Sequence, residues 1–224
     1  MIGASGALRA VTLWAAVSLV LPATSGCRGN DRHAETRTTS VPVVIFFGDS
    51  ITAGHGLDPA ESFPSLIDAR LERQGIDARV VNAGVSGDTT TAALERLAGQ
   101  VVLRPALVLV ELGANDMFRG FDRRTTFKNL VEIVRSFQEV GARVIVAGVR
   151  FPDAHPAYDL SMGRLYEKVA DETDAAYIAD LLLGVAGNAG LNLADRIHPN
   201  AAGQEAIAKT AWPVVEREVL QARR

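Results

Sequence analysis

The chain has 224 residues, 48% of them apolar and 22% charged, a balance that fits a globular protein and excludes a disordered one. With 23 basic against 26 acidic residues it offers no basic stripe for DNA or RNA, so no nucleic-acid partner is expected. The only cysteine is Cys27, which excludes an intrachain disulfide and a CxxC metal site.

The N-terminus reads as a targeting segment. Arg9 is the one charge before an apolar run over 10–21, AVTLWAAVSLVL. That run has the length of a signal-peptide core and falls short of the roughly 20 residues a membrane-spanning helix needs. Small residues follow, and Thr24-Ser25-Gly26-Cys27 resembles the processing box of bacterial lipoproteins, although Thr24 stands where that box prefers Leu. Residues 1–27 are therefore expected to be a signal peptide that exports the chain to a periplasm or cell envelope. Cys27 is then either lipidated, tethering the protein to a membrane, or incidental to ordinary cleavage nearby. Residues 28–40, RGNDRHAETRTTS, are polar and aperiodic, as a flexible tether would be, and His33 belongs to it.

Residues 41–224 read as a single domain in which strands and helices alternate. VPVVIFF (41–47), ARVVNAG (78–84), ALVLVEL (106–112) and RVIVAGV (143–149) are nearly continuous apolar runs, the pattern of strands buried on both faces; AAYIAD (175–180) is a weaker fifth. Between them, 61–74, 90–103, 123–140 and 157–173 place apolar residues at helical spacing, with Asp122 a plausible cap for the third. A closing helix covers 200–222, where Pro213 is expected to kink or interrupt it. Repeated strand–helix–strand units predict an α/β three-layer sandwich, a mostly parallel five-stranded sheet with helices on both faces.

Ligand sites of such sheets lie beyond the carboxyl ends of the strands. The segments there are GDSITAGHG, NAGVSGDTT, GANDMFRGF and RFPDAHP. Ser50 follows the first strand directly, behind Gly48-Asp49. Asn115 follows another in Gly113-Ala114-Asn115-Asp116. Near the C-terminus, Asp195 and His198 stand three residues apart in Asp195-Arg196-Ile197-His198-Pro199. A serine nucleophile needs a base within hydrogen-bond reach, and the base needs a group to orient it; a carboxylate three residues before an imidazole can serve it around a turn.

In combination these segments resemble the GDSL, or SGNH, hydrolase superfamily, over residues 43 to about 203. The matching blocks are VIFFGDSITAGHG, VVNAGVSGDTT, VLVELGANDMFRGF and DRIHPN. The resemblance implies a flavodoxin-like fold and hydrolysis of carboxylic esters through an acyl-enzyme, without cofactor or metal. It assigns Ser50 as nucleophile, His198 as base and Asp195 as the acid that orients it. It also implies an oxyanion hole formed by the backbone N–H groups of Ser50 and Gly87 and by the side-chain amide of Asn115. The G-x-S-x-G elbow of the α/β-hydrolases is absent.

Leu57, Met117, Phe118, Phe121 and Phe151 lie in or beside these blocks, and their mixture suits an acyl chain. Acyl esters rank first as substrates, then lysophospholipids or thioesters, then acetylated glycans; a non-enzymatic lipoprotein that kept the fold as a binding module is the alternative of another class. Asp49, Asp88 and Asp116 are expected to be architectural. His55 and His155 read as surface residues, and Glu111 as a buried carboxylate paired with Arg150 or Arg119. A monomer is expected.

Overall fold

The computed structural model describes residues 41–151 and 156–223, without the side chains of 156–159. Cys27, His33, the targeting segment, the tether and His155 lie outside the described residues. Five strands, β1 (Val43–Gly48), β2 (Arg79–Gly84), β3 (Leu107–Glu111), β4 (Arg143–Ala147) and β5 (Ala176–Ile178), form one parallel sheet in the order β2-β1-β3-β4-β5. The apolar runs become strands because both faces of the sheet are covered: every residue of β3 is buried, and so are the last five of β1. Strand β5 is the shortest, three residues, in keeping with its weak pattern.

Among the described residues seven α-helices connect and cover the strands: α1 (Ser50–Ala53), α2 (Phe63–Arg73), α3 (Thr90–Val101), α4 (Ala114–Phe118), α5 (Arg123–Glu139), α6 (Pro156–Thr173) and α7 (Ala201–Ala222). Helices α2 and α7 pack together on one side of the sheet, while α3, α5 and α6 form the other layer. The core between the layers holds Phe46, Phe47, Leu109, Ile133, Phe137, Ile145 and Val215, all fully buried. Edge-to-face ring pairs, Phe46 with Phe63 and Phe47 with Phe137, fasten α2 and α5 to β1.

Helix α7 is continuous through Pro213, so of the two outcomes expected there the interruption does not occur. Its neighbours Ala211, Trp212 and Val215 are buried, whereas Pro213 and Lys209 face solvent. The carbonyl of Lys209, deprived of its usual donor, can therefore bond to water, and packing on the inner face holds the helix through the proline.

Candidate active site

The ends of β1, β2 and β3 meet in register, with Gly48 opposite both Gly84 and Glu111. Three loops therefore open at one level, carrying Asp49-Ser50, Ser86-Gly87-Asp88 and Ala114-Asn115. Gly48 has no alternative at its position. A Cβ there would lie 2.0 Å from the Thr52 hydroxyl and 2.8 Å from the Glu111 carbonyl, far inside van der Waals contact. Ser50 opens α1, a single turn capped by Asp49, whose Oδ1 accepts from the Ile51 N–H at 3.0 Å. The Ser50 hydroxyl is thus fixed at a strand end.

Asp195 and His198 are held by their own turn. Asp195 Oδ1 accepts from the backbone N–H of Ile197 at 2.9 Å and of His198 at 3.0 Å, and Arg196 between them has a left-handed φ of 61°. Strain of that kind collects at functional sites. The turn is tied down by Leu193 N–H donating to the His198 carbonyl at 2.7 Å and by Asn200 capping α7. Buried Gln204 on α7 accepts from Phe63 N–H and donates to the Ile51 carbonyl, locking α7 onto α1 and α2.

These supports bring Ser50 and His198, 148 positions apart, to hydrogen-bond distance: His198 Nε2 lies 3.0 Å from Ser50 Oγ. On its other side His198 Nδ1 lies 2.7 Å from Asp195 Oδ2. Partial loss of solvent works against ionising Asp195, but hydrogen bonds from the His198 ring and from the His198 and Ile197 N–H groups outweigh it and hold the carboxyl at about 2. Serine, imidazole and carboxylate stand in the order that nucleophile, base and orienting acid require.

Facing them, Gly87 has a φ of 85°, a conformation side chains rarely tolerate, and its carbonyl accepts from Arg119 at 2.9 Å. Among the described residues no protein acceptor meets the N–H of Gly87 or of Ser50. The Asn115 amide lies at the same mouth and is held by two acceptors, Asp49 Oδ2 at 3.1 Å and the Asp88 carbonyl at 2.9 Å.

A cavity of about 330 Å³ opens onto Ser50 and His198, its apolar lining formed by Ile51, Ala114, Phe118, Phe151 and Ile197. Phe118 and Phe151 make contact there, with ring centroids 5.1 Å apart. Of the other apolar candidates, Met117 is buried in the core, and Leu57 and half-exposed Phe121 are not part of the lining. Ala114 and Ile197 were not singled out from sequence. Among the described residues no three His, Cys, Asp or Glu side chains gather to hold a metal ion.

Three further side chains belong to the site. His55 is exposed, yet its ring lies against that of His198, centroids 4.4 Å apart, and its Nδ1 is 3.3 Å from Ser86 Oγ. Arg96 of α3 braces the loop that carries Gly87 and Asp88: it donates to Asp88 Oδ2 at 2.6 Å, to the Ala83 carbonyl at 2.9 Å and to the Gly48 carbonyl at 3.0 Å, while lying 4.2 Å over the Phe47 ring. Nothing short-range in the sequence marks it. Glu111 is wholly buried, and it pairs with neither Arg150 nor Arg119. It accepts from the Thr52 hydroxyl at 2.7 Å and from the Asp49 N–H at 3.4 Å. The strand register sets Glu111 beside Gly48, next to the Asp49 and Thr52 partners it takes instead. Asp116, also buried, accepts from Thr90 and Thr126, the architectural role expected of it.

A sequence profile of the GDSL-like Lipase/Acylhydrolase family matches residues 46–206. The chain belongs to this family. It is 36% identical over 183 residues to "Esterase TesA" of Pseudomonas aeruginosa, covering 81% of this chain and 91% of that protein. It is 30% identical over 188 residues to "Thioesterase 1/protease 1/lysophospholipase L1" of Escherichia coli, covering 81% and 89%. The crystal structure of TesA superposes with a TM-score of 0.76 at 36% identity, covering 79% of this chain and 99% of that one. The GDSL chain described here is accordingly an enzyme, a hydrolase acting on esters.

Proposed function

We propose that Ser50 is the nucleophile of a carboxylic ester hydrolase that works through an acyl-enzyme. The contact that carries the reading is Ser50 Oγ to His198 Nε2 at 3.0 Å, with Asp195 behind the ring. His198 takes the hydroxyl proton as Ser50 attacks the acyl carbonyl, then returns it to the leaving alcohol or thiol. Asp195 keeps Nδ1 protonated and steadies the imidazolium. Water, activated by the same imidazole, releases the acid. No step calls for a cofactor.

The oxyanion that forms on the carbonyl is met by the N–H groups of Ser50 and Gly87 and by the Asn115 amide. At rest the Asn115 amide nitrogen donates to the Asp49 carboxyl at 3.1 Å and to the Asp88 carbonyl at 2.9 Å. The oxyanion, being charged, takes the place of the neutral Asp88 carbonyl, while Asp49 keeps the amide aimed.

The substrate is an ester of a short acyl chain. The cavity beside Ser50 lies at the small end of the roughly 300–1,000 Å³ usual for ligand pockets, and its lining of Ala114, Phe118, Phe151 and Ile197 suits an alkyl or aryl group better than a sugar. The names of the relatives, an esterase and a thioesterase/lysophospholipase, keep thioesters and lysophospholipids among the candidates. Turnover of p-nitrophenyl esters of increasing chain length tests this. A maximum at short chains supports the reading; a steady rise to long chains favours a lysophospholipase, and activity confined to acetate a deacetylase.

Export, with Cys27 carrying the lipid, completes the proposal. The protein with Cys27 should partition with membranes in an exporting bacterium and the Cys27→Ala form should not; two soluble forms would leave only signal cleavage.

A further inference from the structure

Beneath the oxyanion side, two carboxyl groups share a wholly buried space. Asp49 ends the β1 turn and Glu111 ends β3, on neighbouring strands. Glu111 Oε2 lies 3.4 Å from the Asp49 backbone N, and the two carboxyl groups are close enough for each to shift the ionisation of the other. Two carboxylates cannot satisfy one another, because neither has a hydrogen to give. The partners of each oxygen show where a proton can sit. Asp49 Oδ1 accepts from Ile51 N–H, and Oδ2 accepts from the Asn115 amide, so both oxygens already act as acceptors. Glu111 Oε2 accepts from the Thr52 hydroxyl and from Asp49 N–H. Glu111 Oε1, buried as deeply, faces no donor at all among the described residues. A buried carboxylate oxygen without a donor is costly, whereas a carboxylic acid O–H that donates is not.

We propose that Glu111 is a positioning residue, kept as a neutral carboxylic acid that donates from Oε1 to the Asp49 carboxylate and thereby holds the Asn115 amide aimed at the oxyanion. This inference rests on the oxyanion reading of Asn115 given above. Electrostatics runs the same way. Burial, then the nearby Asp49 charge, pushes the Glu111 carboxyl well above the usual range. Burial also raises Asp49, to about 6, against the opposing pull of Ile51 N–H, Glu111 and His198. The other titratable groups acting on the pair are Asp88, on Asp49, and Tyr166 of α6, whose hydroxyl donates to the Leu112 carbonyl at 3.0 Å and which also feels Asp116. None of these supplies a cation to Glu111. With one proton between them, Asp49 is the anion and Glu111 the acid. Asn115 is thereby given a charged anchor next to the nucleophile, without a second buried charge.

The state of Glu111 can be read directly in the wild-type protein. Infrared spectra at about pH 8, some four units above an ordinary carboxyl pKa, would be taken with and without glutamate labelled with ¹³C at its side-chain carboxyl. The proposal predicts the C=O stretch of an undissociated acid, moving on glutamate labelling. No such band, or a band that stays in place and so belongs to an aspartic acid, would overturn it. Kinetics supplies the functional half. Glu111→Gln replaces the O–H with an N–H donor and should keep kcat within about threefold, while Asp49→Asn, which puts an amide against an amide, should lose about 100-fold, the scale of one oxyanion donor. A Glu111→Gln protein, folded by thermal melting, with kcat as low as Asp49→Asn would overturn the proposal. If Asn115→Ala is fully active while the labelled band is present, the oxyanion reading fails and the acid assignment stands.

Discussion

The ring of His55 lies against the ring of His198, with centroids 4.4 Å apart and planes inclined by 39°. The contact limits the motion of the imidazole about the axis joining Ser50 to Asp195. Such ring pairs contribute about 0.5–1.5 kcal/mol. His55→Ala should therefore lower kcat by about two- to tenfold with little change in KM, and His55→Phe, which keeps a ring there, should restore most of it. Equal losses in both variants would assign the effect to the Ser86 hydrogen bond instead of the ring.

Asn115→Ala should lower kcat by about 10²–10³-fold, or about 2.7–4 kcal/mol, while KM changes only a few fold and the melting temperature stays near wild type. Asn115→Asp should be as poor or worse, since a carboxylate would face the developing negative charge. Kinetics on one aryl ester, with thermal unfolding of both variants, checks this. A large drop in melting temperature with near-normal kcat would make Asn115 a loop-closing residue.

Arg96 joins the ends of β1 and β2 to Asp88, and its loss leaves the nearly buried Asp88 carboxylate without its cation and removes a donor from the Ala83 and Gly48 carbonyls, the latter keeping the Val85 N–H. Arg96→Met should cost about 1–3 kcal/mol of unfolding free energy, the cost of leaving one buried polar partner unmet. The loop bearing Gly87 and Asp88 should loosen with it, so kcat should fall more than KM rises. Urea unfolding and steady-state kinetics measure the two effects separately.

The two perturbed aspartates have opposite consequences for stability. Asp195 is held at about 2, below its unfolded value, so its stabilising share is present above the ordinary carboxyl range and is lost as pH falls through about 2. Its side chain is 43% exposed, which makes that share small. Asp49 is raised to about 6, so the folded protein binds its proton more tightly than the unfolded chain does. Its ionisation costs stability above that pH, and the cost is relieved as pH falls from about 6 to about 4. Urea unfolding should show the wild type gaining stability relative to Asp49→Asn over that interval. A constant difference between the two proteins would place Asp49 in an ordinary environment.

The fold was legible because β1, β3 and β4 are buried on both faces and so are written as unbroken apolar runs, whereas β2, at the sheet edge, has the apolar run but is only partly buried. Ser50, Asn115, Asp195 and His198 could be singled out because each stands beside a turn in a short, recognisable segment. Glu111, Arg96 and His55 acquire their contacts only through tertiary structure. Glu111 meets Asp49 by the β1–β3 register, Arg96 gathers acceptors from three segments, and His55 reaches a partner 143 positions away. The apolar lining was half legible. Phe118 and Phe151 line the cavity, while helix α4 turns Met117, next to Phe118, into the core. Pro213 does not break α7 because its cost depends on which side of the helix it faces.

The central claim is that Ser50 and His198 act as one unit, and a double-mutant cycle on kcat tests it most directly. Ser50→Ala and His198→Ala should each lower kcat for p-nitrophenyl acetate by roughly 10⁴-fold or more, and the double variant should be little worse than either alone, because neither group works without the other. Losses that multiply, or a Ser50→Ala protein that keeps its turnover, would contradict the account.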